Sequence, residues 1–179
     1  MPMATALQIS FDSLEHKRRA LEAGLSALPQ AELGFRPGPQ RWSIRMTLEH
    51  VVVSEEGITA EMEQAIKGRR PTQEARSPSA IRMVLFAMNQ DVPVDVPAKE
   101  LEPSGEPQLS ELLERWQGAR RRMQQTLGAI LPAEEALPVF RHPFGGPMDA
   151  AETLEFLSAH LDNHARQIHR IRQAFASQE

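Results

Sequence analysis

Apolar residues recur along this chain at steps of three, four and seven, the period of helices with one buried face. No segment shows the short alternating runs of a sheet protein. Leu7, Phe11, Leu14, Leu21, Leu25 and Leu28 form one stripe, which predicts a helix from Thr5 to Leu28. Arg18 falls inside that stripe, so it either snorkels to the rim or pairs with a carboxylate. A second helix is predicted from Ser43, a good N-cap, to about Lys67. Arg45, Glu49, Glu56 and Glu63 form its charged stripe, and most of the remaining circumference is apolar or small. Such a helix is expected to be buried against several neighbours. His50 lies away from the charged stripe, and Glu55 sits at core spacing with Val51, Ile58 and Met62.

Ser77-Pro78 opens a shorter helix, with serine as cap and proline in the first turn, carrying Ile81, Val84, Leu85 and Met88 on one face. A third long helix runs from Leu109 or Ser110 to Leu131 on Leu112, Leu113, Trp116, Ala119, Met123, Leu127 and Ile130. Arg120, Arg121 and Arg122 read mostly as its solvated face. A fourth starts near Asp149, where Asp149 and Glu152 have the spacing of a capping box. Leu154, Leu157, Leu161, His164, Ile168, Ile171 and Phe175 follow in a three-four rhythm, with His164 in the middle of the apolar seam.

Proline and glycine concentrate in 34–39, 68–78, 93–107 and 132–147. Proline cannot continue a helix interior, so these stretches, with the loop at 91–107 the longest, are joints. The expected fold is all-α: a four-helix bundle with one additional short helix, as a single domain over 1–179. Joints this long allow an overhand crossing, so up-down-up-down order does not follow.

Composition narrows the chemistry. With 41% hydrophobic and 25% charged residues in 179, the chain resembles a soluble globular protein. No apolar run reaches the ~20 residues of a membrane span. No basic region precedes an apolar core at the start, so a cytoplasmic location is expected. A net charge of −4 argues against nucleic acid as partner. There is no cysteine and no tyrosine. Thiolate ligands, cysteine nucleophiles and tyrosine acids are thereby excluded, and any transition-metal site must use histidine and carboxylate.

Six histidines are available. His160 and His164 stand at i and i+4, so both imidazoles project from one helix face towards a common point. His50, on the buried side of another long helix, is the best third ligand. Three neutral imidazoles would hold one face of a divalent ion and leave other positions open, as in catalytic sites. The alternative is that the pair arises by chance and inward histidines are ordinary core residues. His16 and His169 fall off their apolar stripes and read as surface residues. His142, in the loop 141–147, reads as a loop brace or as a group near the site mouth.

Arg41-Trp42-Ser43-Ile44-Arg45-Met46-Thr47-Leu48-Glu49-His50 resembles the "W-S, then a histidine in the following helix" motif of the DinB-like superfamily of damage-inducible metalloproteins. The later His142-Pro143-Phe144-Gly145-Gly146, followed by His160-Leu161-Asp162-Asn163-His164-Ala165-Arg166-Gln167-Ile168, resembles its closing "H-x3-H-x2-Q-I" helix. The resemblance implies metal ligands at His50, His160 and His164, and a four-helix bundle that commonly forms homodimers. It also implies a bound divalent ion, nickel or zinc first and iron or manganese next. Relatives of this kind include YfiT-like hydrolases and thiol-dependent S-transferases and isomerases. A chain without cysteine would need a low-molecular-weight thiol as cosubstrate for the latter, and its arginines suit an anionic one. Gln167 matches the motif without a role that the sequence assigns.

Three readings therefore stand. The first is a metal-dependent transferase or hydrolase acting on a small molecule, with Glu55 as general base or as an acceptor behind a ligand. The competing reading of Glu55 is a buried ion pair with an arginine such as Arg18. The second is a non-catalytic bundle that binds a metal or small ligand in a stress response. The third is a metal-free bundle. Self-association is expected from the wide apolar circumference of the second helix.

Overall fold

A computed structural model describes residues 3–68, 77–90, 101–103, 105 and 107–178. Four long helices dominate: α1 (Thr5–Ser26), α3 (Ile44–Gly68), α5 (Leu109–Gly128) and α6 (Ala150–Ala176). Two shorter ones accompany them, α2 (Gln30–Gly34) and α4 (Pro78–Asn89). The long helices stop within three residues of the sequence expectation. Most of the loop expected at 91–107, and most of the joint at 68–78, lie outside the described residues.

Three of the helix starts are built as the sequence suggests. The Ser43 hydroxyl accepts from the Met46 N–H at 3.2 Å. The Ser77 hydroxyl accepts from the Ala80 N–H at 3.4 Å, with Pro78 in the first turn. At α6, Asp149 accepts from the Glu152 N–H and Glu152 from the Asp149 N–H, a reciprocal capping box. The stripes close on one another in a core that includes Leu14, Leu48, Met62, Leu112, Met123, Leu127 and Leu154, all below 2% exposed.

The helices pack in a ring, α1 beside α6, α6 beside α3, α3 beside α5 and α5 beside α1. The first and second long helices are thus placed diagonally, and so are the third and fourth. A simple up-down-up-down bundle would set each against the next. The ring brings α3, which carries His50, beside α6, which carries His160 and His164. Polar ties fix the fit: Lys17 donates to Ser158 and Asp162, and Arg172 to Glu32. Arg166 donates to the Met88 carbonyl at 2.7 Å, holding the end of α4 on α6.

Several expectations need correction. The stretch 132–147 is not only a joint. Its end forms an antiparallel hairpin, β1 (Phe140–His142) and β2 (Gly146–Met148), which packs against α3 and α6. Strands of three residues are too short to show an alternating pattern. Arg120 is not on a solvated face. It is buried with Glu55, whereas Arg121 and Arg122 are exposed. The charged stripe of α3 is not a free surface either: Arg115 on α5 holds Glu56 at 2.6 Å, and Glu49 is buried. Finally, α3 finds cover inside the chain from α2, α5, α6 and β1. Its apolar circumference therefore gives no argument for a partner.

Candidate metal centre

The three inward histidines meet. The Nε2 atoms of His50 and His160 lie 3.3 Å apart, and those of His160 and His164 lie 3.1 Å apart. One ligand atom from each falls within 4.8 Å of the other two, and all three residues are buried. No other cluster of this kind occurs among the described residues. Imidazole nitrogens bound to one zinc at about 2.0–2.1 Å stand about 3.3–3.4 Å apart in a tetrahedral array and about 2.8–3.0 Å apart when cis in an octahedral one. Both of these separations fall within that range, and the third pair stays within 4.8 Å, so the trio can close on a small divalent ion.

Protons sit where such a site needs them. Nδ1 of His50 donates to the Leu101 backbone carbonyl at 2.8 Å, and Nδ1 of His164 donates to the Gln167 side-chain Oε1 at 2.9 Å. A carbonyl only accepts, so both rings carry their proton on Nδ1 and turn an Nε2 lone pair inwards. This is the support from behind that metal-binding histidines regularly have. Trp42 covers the His50 ring, with centroids 5.2 Å apart. The Gln167 contact gives a role to a residue that the sequence could only match to a motif. The Leu101 contact had no signal in the sequence, because a backbone carbonyl is the same at every position.

Electrostatics favour the neutral form of all three. Burial pushes His50 down from its ordinary value. Burial, with the neighbouring imidazoles, holds His160 well below it. Burial takes His164 to about 4 against an ordinary 6.5, and His142 likewise to about 4. These rings keep their lone pairs at neutral pH. They also set a pH dependence. Between pH 6.5 and about 4 the unfolded chain binds protons that the folded chain refuses, so folding loses stability as the pH falls through that window. Above 6.5 these groups contribute no slope. Urea unfolding of metal-free protein is expected to show a midpoint that is flat from pH 7 to 8 and drops steadily from 6.5 towards 4.

The other candidates part company with the trio. Glu55 is buried on α3, where Arg120 donates to both its oxygens at 2.6 Å and the Trp116 Nε1–H donates at 2.8 Å. This is the buried ion pair, with Arg120 in the place that Arg18 was expected to fill. Arg18 is buried as well, but it pairs with Glu15 and Glu22 on its own helix. His16 and His169 are exposed. His142 is buried and braces its turn: Nδ1 accepts from the Phe144 and Gly145 N–H groups at 3.1 and 2.9 Å. It also approaches the trio indirectly, across Phe156, which sequence reasoning passed over. The signal was present, since Phe156 precedes His160 by one helical turn.

The described helices include none long and apolar enough to cross a membrane. The fold is similar to that of YfiT from Bacillus subtilis, described as a probable metal-dependent hydrolase with an unusual four-helix bundle topology. The TM-score is 0.65 at 13% identity, and the match covers 95% of this chain and 87% of that one. No curated protein matches the sequence. The model of the DinB superfamily matches residues 13–168, a span that takes in His50, His160, His164 and the hairpin between them, and the chain belongs to that superfamily.

Proposed function

We propose that this chain is a divalent-metal-dependent hydrolase whose ion is held by His50, His160 and His164. The observation that carries the reading is the convergence of three buried Nε2 atoms, two of them with their lone pairs fixed inwards. The description of YfiT supports hydrolysis over other metal-dependent reactions. A divalent ion on such a face supplies Lewis acidity and lowers the pKa of a water or a thiol. Nickel and zinc are among the ions that suit neutral imidazole ligands.

The chain's own residues do the rest. Leu101 and Gln167 hold the two outer rings in one tautomer. Burial keeps bulk water from the ligands, and Trp42 shields the His50 face. Glu55 is committed to Arg120 and Trp116, so it is not the base in this reading.

The test is elemental analysis of untagged protein, followed by a panel of ester, amide and phosphoester substrates with and without added thiols. One bound transition ion with metal-dependent, thiol-independent turnover is the expected result. Turnover only with thiol would move the assignment to an S-transferase using a low-molecular-weight thiol. Bound metal with no turnover across the panel would favour a non-catalytic binding protein. Self-association is part of the proposal. Met83 and Phe86, exposed three residues apart on α4, offer it an apolar surface. A light-scattering mass near 20.0 kDa at micromolar concentration would count against it.

A further inference from the structure

The three histidines are not held alike. His50 and His164 each have an acceptor behind Nδ1, whereas Nδ1 of His160 is buried without a hydrogen-bond partner among the described residues. His160 has an aromatic face instead. The Phe156 ring lies nearly parallel to it, with centroids 5.6 Å apart and 28° between the planes. Phe156 is itself clamped by β1. Phe140 stacks on it at 5.9 Å and 24°, and His142 packs edge-on at 4.8 Å and 67°.

The clamp is anchored at both ends. The Glu61 carboxylate on α3 accepts from the Arg141 N–H at 2.9 Å, tying β1 to the helix that carries His50. At the turn, Gly146 takes a φ of +74°, which favours glycine. A Cβ on Gly145 would stand 2.8 Å from the Met148 Cε and 3.4 Å from the His142 Nδ1 that braces the turn.

We propose that Phe156 is a positioning residue for the metal centre: pressed by Phe140 and His142 of the hairpin, its face sets the plane of the His160 imidazole in place of a hydrogen bond. The proposal rests on the metal reading of the trio. Its physical reason lies in the proton inventory. With the protons of His50 and His164 on Nδ1, their lone pairs both face Nε2 of His160. In the metal-free chain His160 relieves that crowding by carrying its own proton on Nε2 and donating to one neighbour. To act as a ligand through Nε2 it must carry the proton on Nδ1 instead. An acceptor behind Nδ1 would lock one tautomer, as it does in the other two rings. A flat face fixes the ring plane and leaves the proton free to change nitrogen.

Phe156→Leu keeps a buried apolar side chain and removes the face. Phe11→Leu, at a buried position on α1 with no ring contact to any of the three histidines, makes the same chemical change as a control. Cobalt(II) is the probe, read by titration and by its ligand-field absorption, with urea unfolding of the metal-free proteins alongside. The expected result is a roughly 10- to 100-fold weaker cobalt affinity for Phe156→Leu, the range for losing support behind a metal ligand. Its absorption bands should shift, whereas Phe11→Leu loses stability and keeps wild-type affinity and spectrum. Phe156→Tyr, which retains the face, should keep the wild-type spectrum. Phe140→Leu, which removes the ring stacked on Phe156 without changing α6 itself, should weaken cobalt binding as well and serves if Phe156→Leu does not fold. Wild-type affinity and spectrum in Phe156→Leu, or in Phe140→Leu where that variant has to stand in, would overturn the proposal, as would an equal affinity loss in Phe11→Leu. If the wild-type chain takes up no cobalt, the metal reading fails first and this proposal falls with it.

Discussion

Replacing Glu55 with alanine is expected to lower the unfolding free energy by about 3–5 kcal/mol, the cost of breaking a buried ion pair from one side. In a domain of this size, 1 kcal/mol moves the melting temperature by about 2–4 °C, so a fall of roughly 6–20 °C should follow. The pair is almost sealed, with the Glu55 and Arg120 side chains 1% and 3% exposed. Alanine at 55 leaves the guanidinium of Arg120 without its counter-charge in the core. It also strips the Trp116 Nε1–H of its acceptor. Glu55→Gln keeps an acceptor for Trp116 but loses the charge, and should fall between wild type and alanine. The double replacement Glu55→Leu with Arg120→Met removes both charges and should recover the part of the loss that comes from the stranded guanidinium, because a buried pair adds little over well-packed apolar residues, while the Trp116 Nε1–H stays without its acceptor. Metal content per folded chain should stay at the wild-type value in every one of these variants. Loss of turnover in Glu55→Gln with unchanged melting temperature and metal content would restore the general-base reading.

This case also shows how far residues speak for themselves. Core spacing placed Glu55 inside, and its need for a cationic partner followed. Which arginine answers did not follow, because periodicity assigns a face and not a neighbour. Arg120 sits in a run of three arginines, where local reasoning sees only a charged surface. The ring order α1–α6–α3–α5 sets α5 against α3 and decides the pairing. The caps at Ser43, Ser77 and Asp149 were legible because a cap is a local event, completed within one turn. The histidine trio was legible for a related reason: two of its members share a helix face, and the third stands on the buried side of another helix, where the motif also falls. The hairpin was not, since its three-residue strands are held by packing on α3 and α6 and by the turn around His142. The Leu101 carbonyl behind His50 could not have been found by any residue pattern.

His160→Ala should have the largest effect on metal uptake. His160 Nε2 is the shared neighbour, within 3.3 Å of both other Nε2 atoms, so its loss removes the centre of the donor set and leaves two nitrogens from different helices. Loss of support behind a ligand already costs about 10–100-fold in affinity, so losing the ligand itself should cost more than about 100-fold. Gln167→Leu leaves all three nitrogens in place and frees only the His164 proton, and it should fall in the lower range. His16→Ala and His169→Ala, both at exposed positions, should change nothing. The chain reports on itself here. Of its two tryptophans, Trp42 lies against His50, while Trp116 is buried with Glu55 and Arg120. Nickel or cobalt at the trio should therefore quench Trp42 emission, and Trp42→Phe should remove that signal without removing the metal. Stability runs the opposite way to affinity. His160 is buried, its charged form strongly disfavoured, and its Nδ1 has no hydrogen-bond partner among the described residues. The metal-free His160→Leu variant, with an apolar side chain in that place, is expected to unfold at a higher urea concentration than the metal-free wild type. A residue that weakens the empty fold and is needed only when an ion is bound belongs to the ion's site. If His160→Leu were instead less stable and still took up a full equivalent of metal, the histidine would be an ordinary member of the core.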